Sequence, residues 1–429
     1  MSTTFATPRR VTPSYASLEF WRNAVLWLMV VSGFYVIAEP APYEVLFAVA
    51  MILFLPSGGM RVSPALLPLV CFLVLYNVGG ALGLVGALND KYSVWFVIIS
   101  FYMGAMGLFV SFIVAADPVA RMETIRNGYI VAGFLAAIAG SLGYLNLFGL
   151  GPLLAGMGRA QGFFKDPNVY STFLVPPFIF LAQDLLLRRT RHPIISTVAI
   201  LVIAFALLVA FSRGAWVNVV VASAMLAGFT VLHAKTPGER SRVVIAAFAG
   251  AILVTLILVV ALSVPEIQHM FQIRAAVLQS YDAGETGRFG NQINSLPYIL
   301  TLPNGMNPRH FHYIFGEDPH NVYLNAFASY GWLGGVSFIV LTIMSFWAGW
   351  RAVMTRTPWQ HHAVAVYCPL VSTMLQAVQI DIDHWRHFYL LIGATWGLMA
   401  ASMLWQARQR LAAQGRLDGR SDWIRTSDP

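Results

Sequence analysis

The residues best suited to chemistry lie in one polar interval, from about residue 265 to 335, which closes on Pro319, His320, Asn321, Val322 and Tyr323. His320 stands just before an apolar run of helical length. Imidazole accepts a proton near neutral pH, so the chemistry it suits is general base catalysis; a polar helix cap is the plainer alternative. His310, His312, Glu317, Asp318 and His320 fall within eleven residues and invite a metal site. Ligands crowded into one segment rarely close a tetrahedral set, however, and no cysteine joins them, so no metal is expected.

Four further segments carry groups that fit an anionic or sugar substrate. FSRGAW holds Arg213 in a tight turn between apolar runs. A snorkelling arginine is one reading, and a planar fork of donors for phosphate oxygens is the other and the favoured one. DAGETGRFG, a glycine-punctuated turn, presents Glu285 and Arg288. GRAQGFFKDPN carries Arg159 and Lys165, suited to an anionic head group, or else is a solvated loop in which Pro167 and Asn168 start a helix. QIDIDHWRH places Asp381, Asp383, His384 and Arg386 beside Trp385, an expected interface anchor; its carboxylates suit orienting a histidine or binding sugar hydroxyls. The substrate-binding candidates are Arg159, Lys165, Glu285, Asp383 and Arg386.

The elements that must position these groups are membrane helices. The 429 residues are 58% hydrophobic and 11% charged, with a mean hydropathy of +0.66, more apolar surface than a soluble domain can bury. Apolar runs of spanning length begin near Asn23, Pro42, Pro64, Tyr92, Asn127, Val169, Pro193, Ala215, Val243, Asn321, His362 and His387. The expected fold is therefore all-α and polytopic, with about twelve transmembrane helices and one long periplasmic loop. Residues 1–22 form a cytoplasmic tail, 23–264 hold helices one to nine, and 265–320 form the loop; 321–405 hold the last three helices and 406–429 a second cytoplasmic tail.

On that topology 19 of the 27 Lys and Arg face the cytoplasm, as the positive-inside rule requires, and both termini are cytoplasmic. The net charge of +8 is thus spent on topology, and no nucleic-acid partner is expected. The first apolar run lacks a small-residue cleavage site, so no cleaved leader is predicted. Cys71 and Cys368 sit in apolar runs and imply no disulfide. Inside the loop, Glu266 to Tyr281 reads as an amphipathic surface helix from whose stripe Ile273 departs, and a second short helix runs from about Asn291 to Leu302 before PNGMNP breaks it. The spans are nearly free of ionisable groups, Asp184 being the main exception. A transporter or flippase would need such groups at mid-membrane, so it ranks second to a chemistry site on the outer face. A structural membrane partner within a larger complex is a third possibility.

In order along the chain, R-x-x-G-F-F-x-D-P-N from Arg159, SRGAW after a span, TGR opening the long loop, a turn with Pro and Gly, and HNVYLNAFASYGWLGG resemble the bacterial O-antigen ligase and polysaccharide polymerase superfamily. The resemblance covers roughly residues 155–345 and implies a C-type (GT-C-like) membrane glycosyltransferase of the inner membrane. Such an enzyme works at the periplasmic face without metal, nucleotide or other cofactor, inverts the anomeric centre, and serves lipopolysaccharide or exopolysaccharide biosynthesis. The donor would be a glycan on polyprenyl pyrophosphate; the acceptor would be the lipid A core for a ligase, or another lipid-linked glycan for a polymerase. The family's loop arginines fall on Arg213 and Arg288 and its histidine on His320. One departure is the turn before the histidine, where the family often has a glycine pair and this chain has Gly305 with Asn307 and Pro308.

Overall fold

The computed structural model describes residues 17–275, 284 and 287–414. Helix α1 spans Leu18–Ser32 and α2 Pro42–Phe54; α3 runs Leu67–Gly83, α4 Lys91–Ala116 and α5 Pro118–Tyr144. The short α6, Gly151–Leu154, leads into a two-stranded hairpin, β1 Ala155–Gly156 and β2 Arg159–Ala160. Next come α7 Pro167–Phe173, α8 Val175–Leu186, α9 Pro193–Val209, α10 Arg213–His233 and α11 Pro237–Leu262. The loop segment holds α12 Pro265–Ala275, α13 Arg288–Thr301 and α14 His310–Phe315. The chain then closes with α15 Val322–Met354, α16 Gln360–Gln376 and α17 Arg386–Ala413.

Eight of the described helical segments are long and apolar enough to cross a membrane, and α2 and α9 are shorter apolar helices. Proline opens many of them: Pro42, Pro118, Pro167, Pro193 and Pro237 stand at first-turn positions, where a missing amide hydrogen costs nothing. Each apolar run named above is helical, and α1 and α17 extend beyond the expected span limits of 23 and 405.

Helix α17 is the centre of the bundle, buried along most of its length between α4, α15 and α16. Tyr76 of α3 packs on Tyr330 and Phe338 of α15, at ring distances of 4.6 and 5.2 Å. Helix α11 lies at the other extreme, with nearly all of its apolar surface exposed.

The spans hold more buried charge than their composition suggests. Arg22 and Arg121 are both buried with their guanidinium groups over the Phe54 ring, and both pair with Glu19. Asp184 of α8 is paired with Arg126 of α5. These charges are tolerated because each has an opposite partner within its own helix or in an adjoining one.

Helix α15 is broken at Gly331, whose φ of 66° and ψ of −168° suit glycine alone. The PNGMNP turn is stitched into the break: Trp332 N–H donates to the Pro303 carbonyl at 2.8 Å and Met306 N–H to the Ala328 carbonyl at 2.7 Å. A Cβ at 331 would lie 2.3 Å from the Pro303 oxygen. The kink therefore fixes where the polar loop re-enters the bundle, nine residues before which stands Val322, the start of the helix that His320 precedes.

Candidate active site

Each element that ends near His320 delivers one polar group to a common place. The β1–β2 hairpin turns through Met157 and Gly158, both at positive φ as a two-residue hairpin turn requires. That turn sets Arg159, only 4% exposed, against the end of α9: its Nε donates to the Ala210 carbonyl at 2.7 Å and its Nη2 to Asn168 Oδ1 at 2.9 Å. Arg159 thereby braces the turn that carries Arg213, as well as lining the cavity beyond. Asp166 caps α7 by accepting from the Asn168 and Val169 amides.

Arg213 is the first residue of α10 and Arg288 the first of α13. Neither helix has a side-chain cap bond at its N-cap residue, Ser212 or Gly287. Two helix N-termini, with their positive ends, therefore open at the site.

His320 sits at φ 49° between α14 and α15. Its amide donates to Asp381 Oδ2 at 3.0 Å, and the next amide but one, Val322 N–H, donates to the Ala377 carbonyl at 2.9 Å. Asn321 supplies the helix cap, accepting from the Tyr323 and Leu324 amides, so the cap and the imidazole are separate residues. Burial holds His320 below its ordinary pKa of 6.5; Arg288 pushes the same way, while Asp318 and Glu317 oppose it. The imidazole is thus biased towards the neutral, proton-accepting form. Burial, reinforced by Asp383 and Asp318, raises Asp381 well above the usual carboxylate range, against the amides of His320 and Asn321.

These groups surround a cavity of 330 Å³. Among the described residues its wall includes Arg159, Arg213, Arg274, Arg288 and His320, with Asp166, Asp318 and Asp381 as the acidic members. Four guanidinium groups, two helix N-termini and three carboxylates, one of them pushed towards neutrality, leave a net positive chamber fitted to an anion. Beside it lies an apolar groove of 760 Å³ lined by Phe205, Leu256, Val260, Ile267 and Met270 among others. Helix α12 contributes to both from one face, giving Ile267 and Met270 to the groove and Arg274, a turn further on, to the cavity. As its sequence pattern implies, Ile273 points away and is exposed.

The cavity brings together Arg159, Arg213, Arg288 and His320 of the sequence-derived candidates. Lys165 instead lies on the surface, paired with Glu39. Arg386 donates from Nε to Glu44 Oε1 at 2.6 Å and faces a separate, smaller pocket. Asp383 points into the bundle, accepting from the Tyr76 hydroxyl at 3.2 Å and lying 3.3 Å from His384 Nδ1. Burial pulls His384 down, but Asp383 and the Phe96 carbonyl together carry it above its ordinary value. Glu285 lies outside the described residues. Trp385, expected as a membrane-interface anchor, is buried against His387 and lines the cavity, because the short α16–α17 connection folds inward.

Two of the polar cavity residues, Arg274 and Gln376, were not singled out by type and spacing. Arg274 is one, and the available signal was its place as a cation within the apolar stripe of α12, seven residues after Ile267 and four after Met270. Of the two carboxylates read together in QIDIDHWRH, Asp381 lines the cavity and Asp383 does not: in an extended segment residues two apart share a face only when the strand is regular, and the Ile382–Trp385 turn here sends them to different surroundings. The other residue not singled out is Gln376, at the end of α16. Its Oε1 accepts from Asn218 Nδ2 at 2.8 Å and from the Thr172 hydroxyl at 3.2 Å, which leaves its Nε2 facing Gly214 beside the cavity. A Cβ on residue 214 would lie 2.6 Å from that nitrogen, which explains the glycine after Arg213.

Residues 198–339 match the family model described as O-antigen ligase, a stretch short of half the chain that contains Arg213, Arg288 and His320. No curated protein matches the chain. Together with the apolar helices, the match supports an O-antigen ligase-related membrane protein with, broadly, ligase- or polymerase-type activity in polysaccharide biosynthesis.

Proposed function

We propose that this protein transfers a glycan from a polyprenyl-pyrophosphate donor to an acceptor sugar hydroxyl, at the periplasmic face of the bacterial inner membrane. The observation that carries the reading is the meeting of His320 with Arg159, Arg213, Arg274 and Arg288 around one cavity, next to an apolar groove. A lipid-linked pyrophosphate has both an apolar tail and a concentrated negative charge, and the two chambers match its two parts.

In the proposed step the acceptor oxygen attacks the anomeric carbon from the face opposite the pyrophosphate. The new C–O bond forms as the old one breaks, which inverts the centre. The hydroxyl proton passes to the His320 imidazole, and polyprenyl pyrophosphate departs with the bonding pair. Pyrophosphate is a good leaving group, so the arginines and helix N-termini need only stabilise charge that grows on its oxygens. They supply that charge without a divalent cation.

The topology that goes with this reading, proposed from the sequence, has twelve crossings with both termini cytoplasmic. On that count the loops at 145–166, 210–212, 263–321 and 377–385 all emerge on the outer side, and these loops and the adjoining helix ends line the cavity.

The test is transfer by the purified protein in lipid nanodiscs, with a synthetic lipid-linked glycan and an acceptor, followed by mass spectrometry. Replacing the general base in His320→Ala is expected to lower the rate about 10²- to 10⁴-fold, and Arg288→Ala is expected to abolish transfer. Full activity in both variants, or transport of the donor with no glycosidic bond formed, overturns the proposal. EDTA is expected to leave the rate unchanged. In a deletion strain, long glycans accumulating on the lipid carrier identify a ligase, and single repeats a polymerase.

A further inference from the structure

Helix α13 is inside out. Its buried face carries Asn291, Ser295 and Ile299, two of the three polar, whereas Phe289, Ile293, Leu296 and Leu300 are 44, 66, 45 and 68% exposed. At 3.6 residues per turn these four lie within an arc of roughly 60°. In water such a face would be a standing liability.

The polar face is engaged by the chain that leads to His320. Asn291 Nδ2 donates to the Phe315 carbonyl at 3.2 Å and to Glu317 Oε1 at 3.0 Å, and Gln292 Nε2 donates to the Pro319 carbonyl at 2.9 Å. At its N-terminal end the helix presents Arg288 to the cavity. The apolar face therefore belongs to an element that touches both halves of the site.

The depth of α13 follows from its other end. The Trp332 indole Nε1 donates to the Ile299 carbonyl at 2.8 Å. Trp332 stands just after the α15 kink, and Trp347 and Trp350 stand near the far end; all three are exposed. From Trp332 to Trp350 the helix rises about 27 Å, close to the ~30 Å hydrocarbon thickness, and exposed tryptophans at that separation mark the two aromatic belts of a span. The carbonyl bonded to Trp332 is accordingly at the outer membrane–water interface, and Leu300, the next residue, continues the lipid-facing surface formed by Leu333 and Val336.

We propose that α13 is an interfacial helix seated on the acyl chains of the outer leaflet through Phe289, Ile293, Leu296 and Leu300, and that this seat fixes Arg288 and the His320 segment at a set height above the bilayer. The proposal concerns membrane contact and needs only α15 as a span, so it stands or falls apart from the glycosyl-transfer reading.

The test uses the full chain with Cys71 and Cys368 replaced by alanine, and single probe sites Ile293→Cys, Leu300→Cys and, off the stripe, Asn294→Cys. Each carries an environment-sensitive fluorophore, and the protein is reconstituted without substrate into nanodiscs of phosphatidylethanolamine and phosphatidylglycerol with or without brominated acyl chains. Blue-shifted emission at 293 and 300, quenched by bromolipid and shielded from iodide, with the 294 probe quenched by iodide, is the expected result. Iodide quenching at 293 and 300 with no response to bromolipid overturns the proposal, whether the face then proves to meet water, a second copy or another protein. Hydrogen exchange of the unmodified protein supplies the control against misfolding. Protection of the α13 amides in nanodiscs that equals that in an amphipol also overturns it.

Discussion

At the residue scale the candidate site sets one imidazole, biased towards its neutral form, near four cations. His320 is depressed by burial and by Arg288, and Asp318 works against both. The base form is lost as pH falls through that depressed value, so the acid limb of kcat/KM is expected below pH 6.5. Removing the opposing carboxylate in Asp318→Asn lowers the imidazole further, and the acid limb is expected to move to lower pH; a pH–rate profile of the two proteins decides it. Gln376 makes a second prediction. Its oxygen is occupied by Asn218 and Thr172, so its amide hydrogens are the atoms offered to a phosphate oxygen. Gln376→Glu keeps the shape, removes the donors and adds a like charge. Losing a hydrogen bond to a charged group costs about 1.5–3 kcal/mol, so KM for the donor is expected to rise roughly 10- to 100-fold. An unchanged KM would show that the amide does not meet the donor.

At the scale of elements, the α15 kink and the hairpin decide where these residues stand. Gly331 occupies a backbone region essentially closed to other residues and has the Pro303 oxygen against it. Gly331→Ala is expected to cost at least about 1–3 kcal/mol of stability from backbone strain alone. It should also loosen the PNGMNP turn, visible as a lower thermal midpoint in detergent and faster hydrogen exchange at Trp332 and Met306. Arg159 illustrates the same dependence: its bond to the Ala210 carbonyl ties the hairpin to the Arg213 turn, so part of any loss in an Arg159 variant is positional.

At the scale of the whole molecule, loops from four distant parts of the chain converge at one end of the bundle. Their common parity makes a topological prediction. With Phe148→Cys and Lys235→Cys, both exposed positions, a membrane-impermeant maleimide added from the periplasmic side is expected to label residue 148 and spare residue 235. Labelling of both from that side contradicts twelve crossings, and labelling of residue 235 alone contradicts cytoplasmic termini.

Apolar content and periodicity determined that the chain is a helical membrane protein, and the distribution of its arginines is the basis of the proposed topology. The order of SRGAW, TGR and HNVYLNAF along the chain determined the resemblance and with it Arg213, Arg288 and His320. Only the tertiary structure decided that Asp381 and not Asp383 meets the His320 backbone, and that Lys165 and Arg386 turn to Glu39 and Glu44. It also decided that Arg274 and Gln376 join the site and that α13 exposes its apolar side. The reason is physical: burial in lipid is a property of each segment by itself, written in its own composition. The partner of a polar group depends on which helix ends and loops are packed beside it, and no local pattern records that.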